Sequence, residues 1–141
     1  MAQRTVRYPI PETRGGLARR TATGVLLATV SVLLAQAIVD TLGIDVGVTG
    51  SMTPFAAGPL IGASVVAGIG AAITYAAVVR FTAKPVRNFV AIAAGVFALM
   101  LVPVFVVPPA GITTAGQGVL VLYHALVAVP LVAFITGVVE V

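Results

Sequence analysis

Three stretches of this sequence, residues 21–39, 46–79 and 88–139, contain no Asp, Glu, Lys or Arg. A helix crossing the hydrocarbon layer of a bilayer needs about 20 predominantly apolar residues. By that measure the first stretch holds one span, the second a long span plus a loop, and the third two spans and a turn. Composition agrees, with 60% hydrophobic and 9% charged residues, where a soluble domain is roughly a quarter charged. A soluble single core, a disordered tail and a nucleic-acid module are excluded. The pattern predicts an all-α, four-helix transmembrane bundle.

The expected spans are 21–42, 54–79, 88–107 and 115–139, within a transmembrane domain of residues 21–141. Residues 1–20 read as an irregular basic tail, because Pro9 and Pro11 lack backbone donors and Gly15-Gly16 favours no fixed shape. Arg19-Arg20, an apolar stretch and Ala35-Gln36-Ala37 imitate a signal peptide. The apolar run exceeds a usual signal core, so it is read as a retained span. Ser51 or Thr53 is expected to cap the second span, with Pro54 in its first turn and a kink at Pro59. Asn88 is expected to cap the third span, which Pro103 should kink. Pro108-Pro109-Ala110-Gly111 ends it, and Thr113 or Thr114 should cap the fourth.

Charge sets the expected topology. All eight cations lie in the tail or in the second loop, at Arg80, Lys84 and Arg87. The first and third loops carry only Asp45, with Asp40 at the end of the first span. Lys and Arg mark the cytoplasmic side, so both termini are expected in the cytoplasm of a multi-pass cell-membrane protein. Arg14, Arg19 and Arg20 are read first as topogenic. Attraction to anionic head groups is the second reading, worth about 1 kcal/mol each near the surface. Apart from Lys84 the cations are arginines, which with the abundant Ala, Val and Gly hints at a GC-rich prokaryotic genome.

Small residues dominate the second span: Gly58 and Gly62, then Ser64, Gly68 and Ala72 at spacing four. Lipid supplies no hydrophobic force between helices, so close backbone approach and dispersion must hold them together. Gly58, Gly62, Gly68 and Ala72 are therefore expected to pack this span against others in the bundle. A homo-oligomer or a membrane-protein partner is the alternative user of that face. Gly47-Val48-Thr49 and Gly111-Ile112-Thr113 share a pattern in the two outer turns, too short to argue duplication.

His124 is the one ionisable group deep in a span. Intramembrane ionisable residues default to functional hypotheses, and here a proton relay or substrate contact competes with a structural hydrogen bond. Desolvation favours the neutral imidazole. Ser31 is the expected partner, Gln36 the next, and Asp40 is reachable only through water.

Enzymatic constellations are nearly absent. The four carboxylates are scattered, one histidine cannot make a metal site, and Ser51 sits far from His124 for a serine triad. A lone axial haem ligand at His124 has no supporting motif. No catalytic residue, metal or cofactor is expected, and there are no cysteines.

Leu42-Gly43-Ile44-Asp45-Val46 and Tyr123-His124-Ala125-Leu126-Val127-Ala128 resemble a family of small four-helix prokaryotic membrane proteins classed as a domain of unknown function. The resemblance runs from about residue 22 onward. It implies the fold, marks Asp45 and His124 as positions of interest, and implies no activity. Leu101-Val102-Pro103-Val104 departs from the family's pattern by lacking a serine. The expected function is a non-enzymatic helix-packing or accessory membrane component, with the lipid bilayer as its main partner. The alternative is a small oligomeric transporter or channel using a polar patch around His124.

Overall fold

The computed structural model describes residues 13–139. Arg4, Arg7, Glu12 and Glu140, together with most of the expected tail, lie outside the described residues. Four helices follow in order: α1 (Arg14–Thr41), α2 (Ala57–Phe81), α3 (Pro85–Val106) and α4 (Thr114–Ile135). At helical rise they measure about 42, 37, 33 and 33 Å. All four are long and apolar enough to cross a membrane. We call the end with the α2–α3 link the basic end, and the end carrying Asp40 and Asp45 the acidic end.

The helix ends differ from expectation for local reasons. α1 begins at Arg14 rather than Thr21, so residues 14–20 are helical and not irregular. Thr13, extended at φ −130° and ψ 153°, accepts the Gly16 amide on its side chain at 3.1 Å. Leu17, one turn in, packs into the core of the basic end. Each helical glycine costs about 1 kcal/mol relative to Ala, and Gly15-Gly16 is tolerated against that anchoring.

α2 begins at Ala57, not Pro54, because the chain turns first. Thr53 N–H bonds the Gly50 carbonyl at 3.4 Å and Ala56 N–H the Thr53 carbonyl at 3.0 Å, which drops Phe55 into the core at 5% exposure. Neither Ser51 nor Thr53 caps the helix; Ala56 does so without a side-chain bond. Pro59 then falls in the first turn, where no intrahelical N–H is needed. α3 starts at Pro85, ahead of Asn88, with proline in the first turn. Thr113 caps α4 as expected, accepting from Gly116 N–H at 2.9 Å, but the helix stops at Ile135 rather than Val139.

α1 packs most extensively on α4 and then on α2, while α3 touches only α2 and α4. The core is split. At the acidic end Val32, Val39, Phe55, Leu60, Val104, Val119, Leu120 and Tyr123 form one cluster. At the basic end Tyr75, Val78, Phe89, Leu131 and Ile135 form the other. Elsewhere large apolar side chains face outward: Leu26, Val66, Leu99 and Val129 are 66, 71, 63 and 66% exposed. So much exposed apolar surface suits hydrocarbon and not water. The fold is a membrane-spanning helical bundle.

Candidate functional site

The acidic end is held by a clasp between two loops. Asp45 accepts Gly47 N–H on Oδ1 at 2.8 Å, turning the first loop sharply. Its carbonyl accepts the Thr113 hydroxyl at 2.6 Å, and the Val46 carbonyl accepts Thr113 N–H at 3.1 Å. Gly47 (φ +83°) and Gly111 (φ +86°) both lie in the left-handed region. They meet so closely that a Cβ on Gly47 would run into the Gly111 carbonyl oxygen. The two matching triplets of the sequence are thus the two halves of one crossing. Their shared glycine has a local steric reason.

Beneath the clasp runs a polar chain. The Tyr123 hydroxyl donates to Gln36 Oε1 at 2.7 Å, and Gln36 Nε2 donates to Asp40 Oδ1 at 2.7 Å. Tyr123 is 4% exposed and Asp40 is exposed, so the chain leads from the core to the surface. Phe55 meets Tyr123 edge-to-face, with ring centroids 6.2 Å apart. Gln36 and Asp40, one helical turn apart, bond each other. Their inward partner is Tyr123, not its neighbour His124.

His124 bonds within its own helix. Nδ1 lies 2.7 Å from the Leu120 carbonyl oxygen, so the imidazole is tied to α4 and not to Ser31 or Gln36 on α1. Ser31 is half-buried on α1 and takes no part in the polar chain. The expected patch of His124, Ser31, Gln36 and Asp40 is therefore divided. One part is the Gln36–Asp40 chain, and another is His124, which faces a different space.

That space is a cleft of about 630 Å³ between α2, α3 and α4. It exists because α3 buries only Phe89 and Val104. These two residues pin α3 to the basic-end and acidic-end cores, about 22 Å apart along the helix. Between the pins, Ala63, Ala67, Gly70 and Ala71 of α2 are too small to fill the gap opposite Val96, Phe97 and Met100 of α3. The wall is almost wholly apolar. Its polar side chains are Thr74, whose hydroxyl donates to the Gly70 carbonyl at 2.8 Å, Tyr123 and His124.

The small residues of α2 separate by face. Gly68 is buried, and a Cβ there would collide with Val25 of α1. Gly58 and Gly62 have nothing within 4 Å of a Cβ position and are exposed. These two do not pack α2 into the bundle; the register that does so is Leu60, Ser64, Gly68, Tyr75 and Val78. Ala72 is half-buried. A GxxxG spacing marks two positions on one face without saying which face is covered. Buried Ser64 donates to the Leu60 carbonyl at 2.9 Å, and Tyr75, packed edge-to-face on Phe89 at 5.1 Å, has a buried hydroxyl without a partner among the described residues.

Sequence reasoning passed over Tyr123 and Phe55. The available signal was an aromatic beside the lone intramembrane histidine, at a depth matching Gln36. Among the described residues no group of three His, Asp or Glu side chains converges to hold a metal.

A family model described as a family of unknown function, DUF6069, matches residues 12–140. The chain belongs to this family. The DUF6069 match begins ahead of α1 and runs past α4, so it takes in the whole bundle and starts earlier than the sequence resemblance. No curated protein and no solved structure matches the chain. DUF6069 is described by no activity, and the four-helix architecture is that of the structure itself.

Proposed function

We propose that the protein is a non-enzymatic accessory component of the cell membrane, multi-pass, with both termini in the cytoplasm. The charge distribution supports the orientation. Arg14, Arg19, Arg20, Arg80, Lys84 and Arg87 all gather at one end of the bundle, and Asp40 and Asp45 at the other. Cations mark the cytoplasmic side.

The observation that carries the accessory role is that the intramembrane polar groups are not hydrogen-bonded into one path. Tyr123, Gln36 and Asp40 brace α4 against α1, whereas His124 hydrogen-bonds within its own helix, at the Leu120 carbonyl. A relay or conduction path needs polar groups hydrogen-bonded in series, and among the described residues no hydrogen bond joins His124 to the Tyr123–Gln36–Asp40 chain. The exposed Gly58–Gly62 face of α2 is the surface we assign to a second copy or another membrane protein.

The test is reconstitution of the purified chain into vesicles under an imposed proton or potassium gradient. Background leakage is the expected result. The cleft beside His124 favours one competing reading, a small oligomeric transporter or channel. Gradient-driven flux that His124→Leu abolished, with the fold intact, would establish that reading and end the accessory one.

A further inference from the structure

We propose that the cleft between α2, α3 and α4 binds a membrane-dissolved molecule with a hydroxyl donor on a long apolar body. Nε2 of His124 would be its hydrogen-bond acceptor. This goes beyond the accessory role and does not depend on it.

The tautomer comes first. A backbone carbonyl only accepts, so the 2.7 Å bond to Leu120 places a proton on His124 Nδ1. In a neutral imidazole the other nitrogen is then an acceptor. Nε2 has no protein partner among the described residues, and His124 lines the cleft. An acceptor left unpaired in an apolar medium is costly, so a donor entering the cleft gains by meeting it.

The other polar side chains on the wall sharpen the selectivity. The hydroxyl protons of Thr74 and Tyr123 are already given to Gly70 and Gln36, at 2.8 and 2.7 Å. A ligand bringing only an acceptor finds no free side-chain donor on this wall. The cleft selects a ligand that brings a hydrogen-bond donor, such as an O–H group.

Size and depth define the rest of the molecule. A volume of about 630 Å³ lies within the range of small-molecule sites, roughly 300–1,000 Å³. The length between the Phe89 and Val104 pins accommodates an extended chain. His124 lies about 15 Å along α4 from Thr114, near mid-helix. Phospholipid head groups stay at the interface, so they do not supply the donor. What fits is a lipid whose polar group is soluble in hydrocarbon: a phenol, as in an isoprenoid quinol, or an aliphatic alcohol, as in a long-chain isoprenol.

The experiment uses the full chain in phosphatidylcholine nanodiscs and measures binding of two matched pairs. Decylubiquinol is compared with decylubiquinone, and geranylgeraniol with its methyl ether; the second member of each pair lacks the donor. One hydrogen bond predicts a preference for the donor of roughly three- to tenfold. The preference should vanish in His124→Phe. Gly70→Phe, which has open space at its Cβ and narrows the cleft from α2, should abolish binding of both donors. Preference confined to the quinol pair assigns a phenol, and preference confined to the alcohol pair assigns an aliphatic alcohol. Equal binding within both pairs, or a preference that survives His124→Phe, overturns the proposal. So does undiminished binding to Gly70→Phe, which keeps the test decisive if His124→Phe fails to fold.

Discussion

The hydroxyl of Tyr123 lies 2.7 Å from Oε1 of Gln36, joining α4 to α1 across 87 residues of chain. The next residue, His124, lines the cleft that Tyr123 also borders, but it hydrogen-bonds only within α4. One helix therefore presents a structural polar group and an open one within a single step of sequence. Tyr123→Phe and Gln36→Leu should each destabilise the bundle. Their coupling in a double-mutant cycle should be about 0.6 kcal/mol and no more than about 1.7, as for other hydrogen bonds between membrane helices. Reversible unfolding in bicelles measures it, and additive effects would show that the bond contributes nothing.

Gly68 and Gly62 should respond oppositely to bulk. A side chain at Gly68 meets Val25, whereas Gly62 is open. Gly68→Val should destabilise the monomer by about 1–3 kcal/mol, the usual penalty of overpacking. Gly62→Val should leave monomer stability within about 0.5 kcal/mol. If the exposed face of α2 pairs with another chain, Gly62→Val lowers the oligomer mass in native mass spectrometry while the monomer remains folded.

The loop clasp should be sensitive at Gly47. A left-handed backbone costs a residue with a Cβ about 1–2 kcal/mol, and Gly47→Ala adds a collision with the Gly111 carbonyl. Thr113→Val removes the bond to Asp45 and the α4 cap, for about 1 kcal/mol from the cap alone. Hydrogen exchange should rise at residues 43–56 and 107–116 in both variants and stay unchanged at the basic end. A uniform rise along the chain would mean that the clasp is not a local unit.

Orientation is testable because the chain has no cysteine. Ala83→Cys and Thr49→Cys place single thiols at exposed positions at opposite ends of the bundle. In intact cells an impermeant maleimide should label Thr49→Cys and spare Ala83→Cys. The reverse result inverts the proposed topology.

The number and approximate depth of the helices were legible because absence of charge over a span length is a one-dimensional signal. The cap at Thr113 and the stop before Gly111 were legible too, since caps and turns depend on neighbours in sequence. What was not legible depends on rotation about a helix axis. Whether Gly62 or Gly68 faces α1 differs by less than two turns of α2, and both faces are apolar. In a soluble helix, polarity would mark the outside, but here lipid and core select similar side chains. For the same reason His124 could be assigned a depth but not a direction. The start of α2 was displaced by Phe55, whose burial against Tyr123 is a long-range contact.

The predominance of the α1–α4 interface bears on how the protein is made. Synthesis proceeds from the N-terminus at about 5–20 residues per second, so α1 enters the bilayer roughly five to twenty seconds before its main packing partner is complete. During that interval α1 has α2 alone, joined at Gly68 and Val25, and Gln36 has no tyrosine to accept from. The first loop likewise waits for Thr113 before Val46 and Asp45 find their bonds. The bundle thus closes from its last helix backward. A nascent chain halted before α4 carries an unfilled seam on α1, which is what a membrane quality-control protease or insertion chaperone would meet.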